Sequence, residues 1–130
     1  MEIHCAVKEL GGAKSPGPDG LTASFYQKFW PTVSKSVCSM VKSFFHSGYL
    51  LKQLNHTFIA LIPKTANPAS VSQFRPISLC NVSYKIISKL LANRLKQVLS
   101  KLISPTQTAF VPSRVIQEKS VVAAELIHSM

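Results

Sequence analysis

Carboxylates are scarce in this sequence, and their placement tells more than their number. Five Asp and Glu face fifteen Lys and Arg over 130 residues, for a formal net charge of +10. Glu2, Glu9 and Asp19 lie near the start and Glu118 and Glu125 near the end. From Gly20 through Gln117 there is no acid at all, while twelve Lys and Arg stand between Lys28 and Arg114. A surface with so few internal anions calls for a polyanionic partner, because each neutralised phosphate releases condensed counterions. Nucleic acid is the first candidate and an anionic membrane face the second. A basic surface that merely solubilises is the plain alternative.

Other absences narrow the class. No run of 18 or more apolar residues occurs, so nothing is expected to span a membrane. The opening Met1-Glu2-Ile3-His4 has neither a basic region nor an apolar stretch of signal-peptide type, which argues against secretion. Cys5, Cys38 and Cys80 are odd in number, far apart and not in CxxC spacing. They read as reduced, mostly buried thiols of an intracellular protein. His4, His46, His56 and His128 show no metal-ligand spacing with one another or with the cysteines. No HExxH, glycine-rich phosphate loop or Ser-His-Asp order offers a reaction.

What is present is a chain with 46% apolar residues, enough for a core. Ile3, Ala6, Val7 and Leu10 keep helical spacing up to Gly11-Gly12. Lys14-Ser15-Pro16-Gly17-Pro18-Asp19-Gly20 reads as a rigid turn-rich loop in which Asp19 caps the following helix. That helix is predicted over 21–30, with Phe25, Tyr26, Phe29 and Trp30 in the core rather than stacked on bases. Pro31 opens another helix, with Val33, Val37, Met40, Val41 and Phe44 on one face and Gly48 at its end. His56–Pro63 and Phe74–Cys80 are short, rich in β-branched and aromatic residues, and predicted to form a hairpin around a loop at 64–73. Pro76 lacks an N–H, so it belongs at an edge or among the first residues of its strand.

Residues 83–103 form the clearest helix, with Ser83 as its cap and Ser104-Pro105 as its stop. At 100° per residue, Lys85, Lys89 and Lys96 fall within about 40° of one another. Ile87, Leu90, Leu91, Leu95, Val98 and Leu102 gather on the opposite side. A polar loop over 105–114 and a last helix toward Met130 complete the pattern. The fold class is α+β, mostly helical with a two-stranded β-hairpin. A lone hairpin is barely stable, so these strands call for more sheet than the chain supplies.

The hairpin also carries the sharpest candidate for chemistry. Lys64 ends the first strand and Arg75 begins the second, which brings an ammonium and a planar guanidinium fork to one end, fit for phosphate oxygens. Two solvated charges at a hairpin mouth would have the same spacing.

The segments KSPGPDGLTASFYQKFW, LIPK, FRPISLCNVSYKIISKLLANRLKQVL and ISPTQTAFVPSR, in this order and covering almost the whole chain, resemble successive blocks of the reverse transcriptases of non-LTR (LINE-type) retrotransposons, plant ones most closely. The resemblance implies a partial right-hand polymerase, residues 1–130 supplying the fingers and the beginning of the palm and stopping before the catalytic palm motifs. It implies that Lys64 and Arg75 bind the triphosphate of the incoming nucleotide. It implies that Gln107, Phe110 and Arg114 match a Q-x-x-F-x-x-x-R segment leading into the palm. The implied partners are an RNA/DNA template-primer, dNTP and the palm and thumb segments. The cofactor is Mg²⁺ in the intact parent enzyme, with none held by this chain. Ser113 stands where the family usually has Gly, and Glu118-Lys119 near where it has Asp-Asn, departures that suit a decayed element copy.

Two-metal nucleotidyl transfer requires carboxylates holding cations roughly 4 Å apart. The family takes them from a palm aspartate and a Tyr-x-Asp-Asp turn, whereas Asp19 is the single aspartate here. Glu118 and Glu125, about 10 Å apart along a helix axis, do not replace them. Lys64 and Arg75 are therefore expected to bind nucleotide, and Lys85, Lys89, Lys96, Gln107 and Arg114 nucleic acid, without catalysis by this chain alone. A non-enzymatic RNA- or DNA-binding module and an inactive retroelement remnant are the alternatives.

Overall fold

Pro31 and Gly48 bracket one long helix of this chain, the clearest case in it of backbone chemistry setting where a helix starts and stops. The computed structural model describes residues 2–104 together with 107, 111 and 128. It divides into two compact units, Met1–Leu90 and Leu91–Met130. In order come helices α1 (Glu2–Lys8), α2 (Ala23–Lys28) and α3 (Trp30–Ser47), strands β1 (Thr57–Pro63) and β2 (Phe74–Cys80), and helix α4 (Val82–Leu102). A 3-10 turn at Val71–Gln73 precedes β2.

Helix α3 begins with proline in its first turn, where a missing N–H costs nothing. It ends at Gly48 with φ of 69°, whose N–H donates to Phe44 O at 2.8 Å. The short α1 leaves carbonyls open at its end. Gln27 of α2 closes them, its Nε2 donating to Val7 O (3.0 Å) and Leu10 O (2.8 Å). Ala6 and Val7 of α1, Ala23 and Tyr26 of α2, Val37 and Val41 of α3 and Val82, Ile86, Ile87 and Leu90 of α4 make one core. Burial, and then the negative charge of Asp19, hold the Tyr26 phenol above its ordinary pKa of 10.0, so it stays neutral across the physiological range.

The aromatic assignment holds for Tyr26, Phe25 and Trp30, which lie in or against this core, and fails for Phe29, which is 54% exposed. Residue 29 is the joint between α2 and α3, so its side chain leaves the buried face. The thiols also depart from expectation: Cys5 is exposed, and Cys38 and Cys80 are half-buried.

The loop before α2 is built around close approach. Gly17 is buried, and a Cβ placed on it would collide with the Asn81 amide nitrogen, Asn81 Oδ1 and the Cys80 carbonyl carbon. Pro18 and Asp19 form the centre of a turn closed by Gly20 N–H to Gly17 O at 3.0 Å, with Gly20 at φ 70°. Asp19 does not cap α2. Its Oδ1 accepts the Leu21 N–H at 3.0 Å, and α2 starts only at Ala23. Asn81, immediately before α4, ties three strands of backbone together: Oδ1 accepts the Asp19 N–H (3.1 Å), and Nδ2 donates to Gln53 O (3.2 Å) and Leu54 O (3.3 Å).

Helix α4 opens one residue earlier than its expected cap. Ser83 lies inside it, buried, with Oγ lacking a hydrogen-bond partner among the described residues. Its expected dry face also divides. Ile87 and Leu90 are buried, with Val82 and Ile86 beside them, whereas Leu91, Leu95, Val98 and Leu102 are exposed.

The hairpin matches its expected bounds within a residue. β1 and β2 pair antiparallel, Thr57 opposite Cys80, Leu61 opposite Pro76, Ile62 opposite Arg75 and Pro63 opposite Phe74. Lys64 N–H donates to Gln73 O at 2.7 Å, extending the ladder by one hydrogen-bonded rung. Because such rungs alternate, Ile62–Arg75 is hydrogen-bonded and the rungs holding Pro63 and Pro76 are not. Both proline nitrogens therefore point outward, where no ladder donor is needed. Phe58, Ile59, Leu61, Ile62 and Ile77 are exposed, so apolar surface is open on both faces of the two strands.

The loop-to-helix clasp yields two expectations. Gly17→Ala should lower the free energy of unfolding by about 1–3 kcal/mol, since backbone must move to admit the methyl. Gly11→Ala, which meets only the flexible Lys14 side chain, should cost much less; urea denaturation compares them. Asn81→Ala should cost about 2–3 kcal/mol for three lost hydrogen bonds and speed hydrogen exchange at the Asp19 amide. Unchanged protection at Asp19 would show that Asn81 does not hold the loop.

Candidate nucleotide and nucleic-acid site

An antiparallel hairpin places side chains by parity, and here parity works in favour of the two cations. Residues opposite one another share a face, and so do residues two apart along a strand. Arg75 shares its face with Ile62, and Lys64, two residues beyond Ile62, lies on that same face diagonal to Arg75. Diagonal neighbours have Cβ atoms about 7–8 Å apart, within reach of one polyphosphate. The loop joining them is firm. Ser70 and Gln73 form a reciprocal capping box, Gln73 Oε1 also accepts the Ala69 N–H, and the Ser70 and Ser72 hydroxyls lie 2.8 Å apart.

Within this frame the two cations differ. Lys64 folds back, its Nζ donating to Ser72 O at 2.7 Å, which leaves two of three ammonium hydrogens free. The Arg75 side chain is exposed, and its guanidinium makes no hydrogen bond or ion pair among the described residues. No carboxylate belongs to the hairpin or its loop, so the pair adds positive potential with no internal counter-charge.

The lysines of α4 are less available than helical periodicity suggests. Lys85 Nζ donates to Ser15 O at 3.1 Å, pinning the loop ahead of α2. Lys89 Nζ lies 2.9 Å from Glu9 Oε2, an ion pair half open to solvent. Lys96 is exposed on the part of α4 that belongs to the second unit. Gln107 is exposed, its N–H donating to Ser104 O at 3.1 Å. Phe110, Ser113, Arg114, Glu118, Glu125 and the helix expected toward Met130 lie outside the described residues.

Periodicity also missed a concavity within the first unit. A cleft of about 420 Å³ is lined by Glu9, Leu10, Gly11, Lys14, Ala23, Val82, Lys85, Ser88 and Lys89. Lys14 escaped notice because it belongs to no helix face, and contacts distant in sequence, such as Lys85 Nζ to Ser15 O, are what bring its loop beside α4. Asn81 escaped too, although an Asn between a strand and a helix is an ordinary helix-start signal.

A family model described as reverse transcriptase (RNA-dependent DNA polymerase) matches residues 62–129, which take in Lys64, Arg75 and all of α4. The chain is 34% identical over 127 residues to the uncharacterized 149 kDa protein of transposon TX1 from Xenopus laevis, covering 98% of this chain and 10% of that protein. It is 24% identical over 123 residues to a retrovirus-related Pol polyprotein from type-1 retrotransposable element R2 of Nasonia vitripennis, covering 93% and 11%. With the corresponding element R1 polyprotein of Bradysia coprophila it shares 24% over 112 residues, 84% and 11%. The chain thus spans about one-tenth of the length of these relatives. Their shared character, together with the family match across β2 and α4, means that the chain belongs to the reverse transcriptase family, among those of non-LTR retrotransposable elements.

Proposed function

We propose that this chain forms the fingers and the beginning of the palm of an RNA-directed DNA polymerase, and that Lys64 and Arg75 receive the triphosphate of an incoming deoxynucleotide. The hairpin register carries the reading, since it sets an ammonium and a guanidinium on one face at the same end of two strands. The guanidinium fork grips two phosphate oxygens in its plane. The ammonium exchanges its bond to Ser72 O for a third oxygen, or keeps it and offers its two remaining hydrogens. The rigid loop holds the Lys64 backbone in place, so little ordering entropy opposes binding.

Lys85, Lys89, Lys96, Gln107 and Arg114 extend the reading to the template-primer backbone. Neutralised phosphates would release counterions there and make the affinity fall with salt. The absence of acids from residue 20 to residue 117 supports this.

Polymerases of this family are Mg²⁺-dependent, and the described residues do not fit that role. A two-cation centre needs at least two converging carboxylates. Asp19, the single aspartate, accepts the Leu21 N–H within a tight turn, and Glu9 is engaged with Lys89. On this reading the described residues supply groups for binding and no carboxylate pair for nucleotidyl transfer.

Two experiments test this. Replacing Lys64 or Arg75 with Ala should weaken dNTP binding about tenfold or more while changing duplex binding little, read by fluorescence titration of a labelled nucleotide and a labelled duplex. Both side chains are exposed, so each variant should lose less than about 0.5 kcal/mol of stability. Equal losses for nucleotide and duplex would favour a basic binding module instead. In a primer-extension assay with Mg²⁺ the purified chain should add no nucleotide; incorporation above background would overturn the inactive assignment.

A further inference from the structure

The cleft between α1, the loop before α2 and α4 combines two kinds of surface. Its lining includes Leu10 with the buried Ala23 and Val82, an apolar floor, and Lys14, Lys85 and Lys89, a cationic rim. At about 420 Å³ it lies in the range of small-ligand sites. Ser88 supplies no donor, because its hydroxyl is committed to Tyr84 O (3.0 Å) and Lys85 O (3.2 Å) within its own helix. The charged donors that the lining offers an anion are the ammonium groups of Lys14, Lys85 and Lys89. One carboxylate already occupies that role: Glu9 lies 2.9 Å from Lys89.

We propose that this cleft receives one nucleotide of a single-stranded nucleic acid, its phosphate replacing the Glu9 carboxylate at Lys89. A phosphodiester and a carboxylate present similar anionic oxygens to an ammonium, so Glu9 acts as an internal occupant that a bound strand displaces. Lys14, in the loop, has an exposed side chain whose ammonium makes no hydrogen bond or ion pair among the described residues, and it supplies the second contact. Lys85 stays on Ser15 O and keeps the wall of the cleft closed. The apolar floor takes the face of an unstacked base, which a single strand offers and a duplex does not. The proposal rests on the nucleic-acid reading above and adds to it a site away from the hairpin cations.

The test uses the full chain and a fluorescein-labelled oligodeoxythymidylate at several salt concentrations. Glu9→Gln should tighten binding about threefold beyond Glu2→Gln, which removes the same charge from α1 outside the cleft. Lys14→Gln, an exposed loop substitution that leaves the core intact, should weaken binding about threefold and flatten the salt dependence by about 0.7 in log-log slope. Lys35→Gln, the same charge change on exposed α3 outside the cleft, should change oligonucleotide affinity little. If Glu9→Gln and Glu2→Gln behave alike and Lys14→Gln equals the unsubstituted chain, while that chain binds with clear salt dependence, the cleft is refuted and the broader reading stands. If the unsubstituted chain does not bind the oligonucleotide even at low salt, both are refuted.

Discussion

The amide of Asn81 reaches partners 27, 28 and 62 positions earlier in the chain, and through them β2, α4 and the Pro-Gly-Pro-Asp-Gly loop share one fixed point. Its two nitrogen hydrogens and its oxygen are all committed to backbone groups, each of which would otherwise need water in a partly buried place. Gly17 lies directly against it, with no room for a side chain. Because the residue before Asn81 is the last of β2 and the residue after it the first of α4, this contact sets where the hairpin leaves the helical core. The cleft is a consequence of the same contact, since Lys14 and Lys85 line it only while the loop lies against α4.

The division between neutralised and open cations follows from where the few acids are. Glu9 faces Lys89, and Asp19 turns back onto its own loop, so two of the three acids near the start serve internal structure. The hairpin, built from the acid-free middle of the sequence, has nothing comparable. Lys64 falls back on a carbonyl oxygen, a neutral partner that opposes its charge only weakly, and Arg75 remains with solvent. The result is a gradient from a self-compensated core surface to an uncompensated hairpin tip.

Periodicity and punctuation made most of the elements legible in advance. Helix α3 with its proline start and Gly48 end, both strands, and the existence of α4 follow from local rules that act within a few residues. The misreadings share a cause. Ser83 resembled a cap because serine suits that position, but the helix is already under way there: Lys85 N–H donates to Asn81 O at 3.1 Å, and Asn81 is held before the first turn by chain segments far away. Phe29 and the outer leucines of α4 read as core because apolar spacing shows which side of a helix is dry without showing whether anything covers it. At the site, the alignment of Lys64 with Arg75 was legible because hairpin register is local. The engagement of Lys85 and Lys89, and the cleft they share with Lys14, join residues some seventy positions apart, such as Ser15 and Lys85, and no local rule reveals that.

Pro63 and Pro76 stand one on each outer margin of the two-stranded sheet, both at the end nearest the loop. Any neighbouring strand, from this polypeptide or another, finds a missing donor there on either side. Lateral growth of the sheet is thereby steered toward the Thr57 and Cys80 end, next to the helices. The tip bearing the guanidinium is thereby the part of the hairpin least able to be absorbed into a larger β structure.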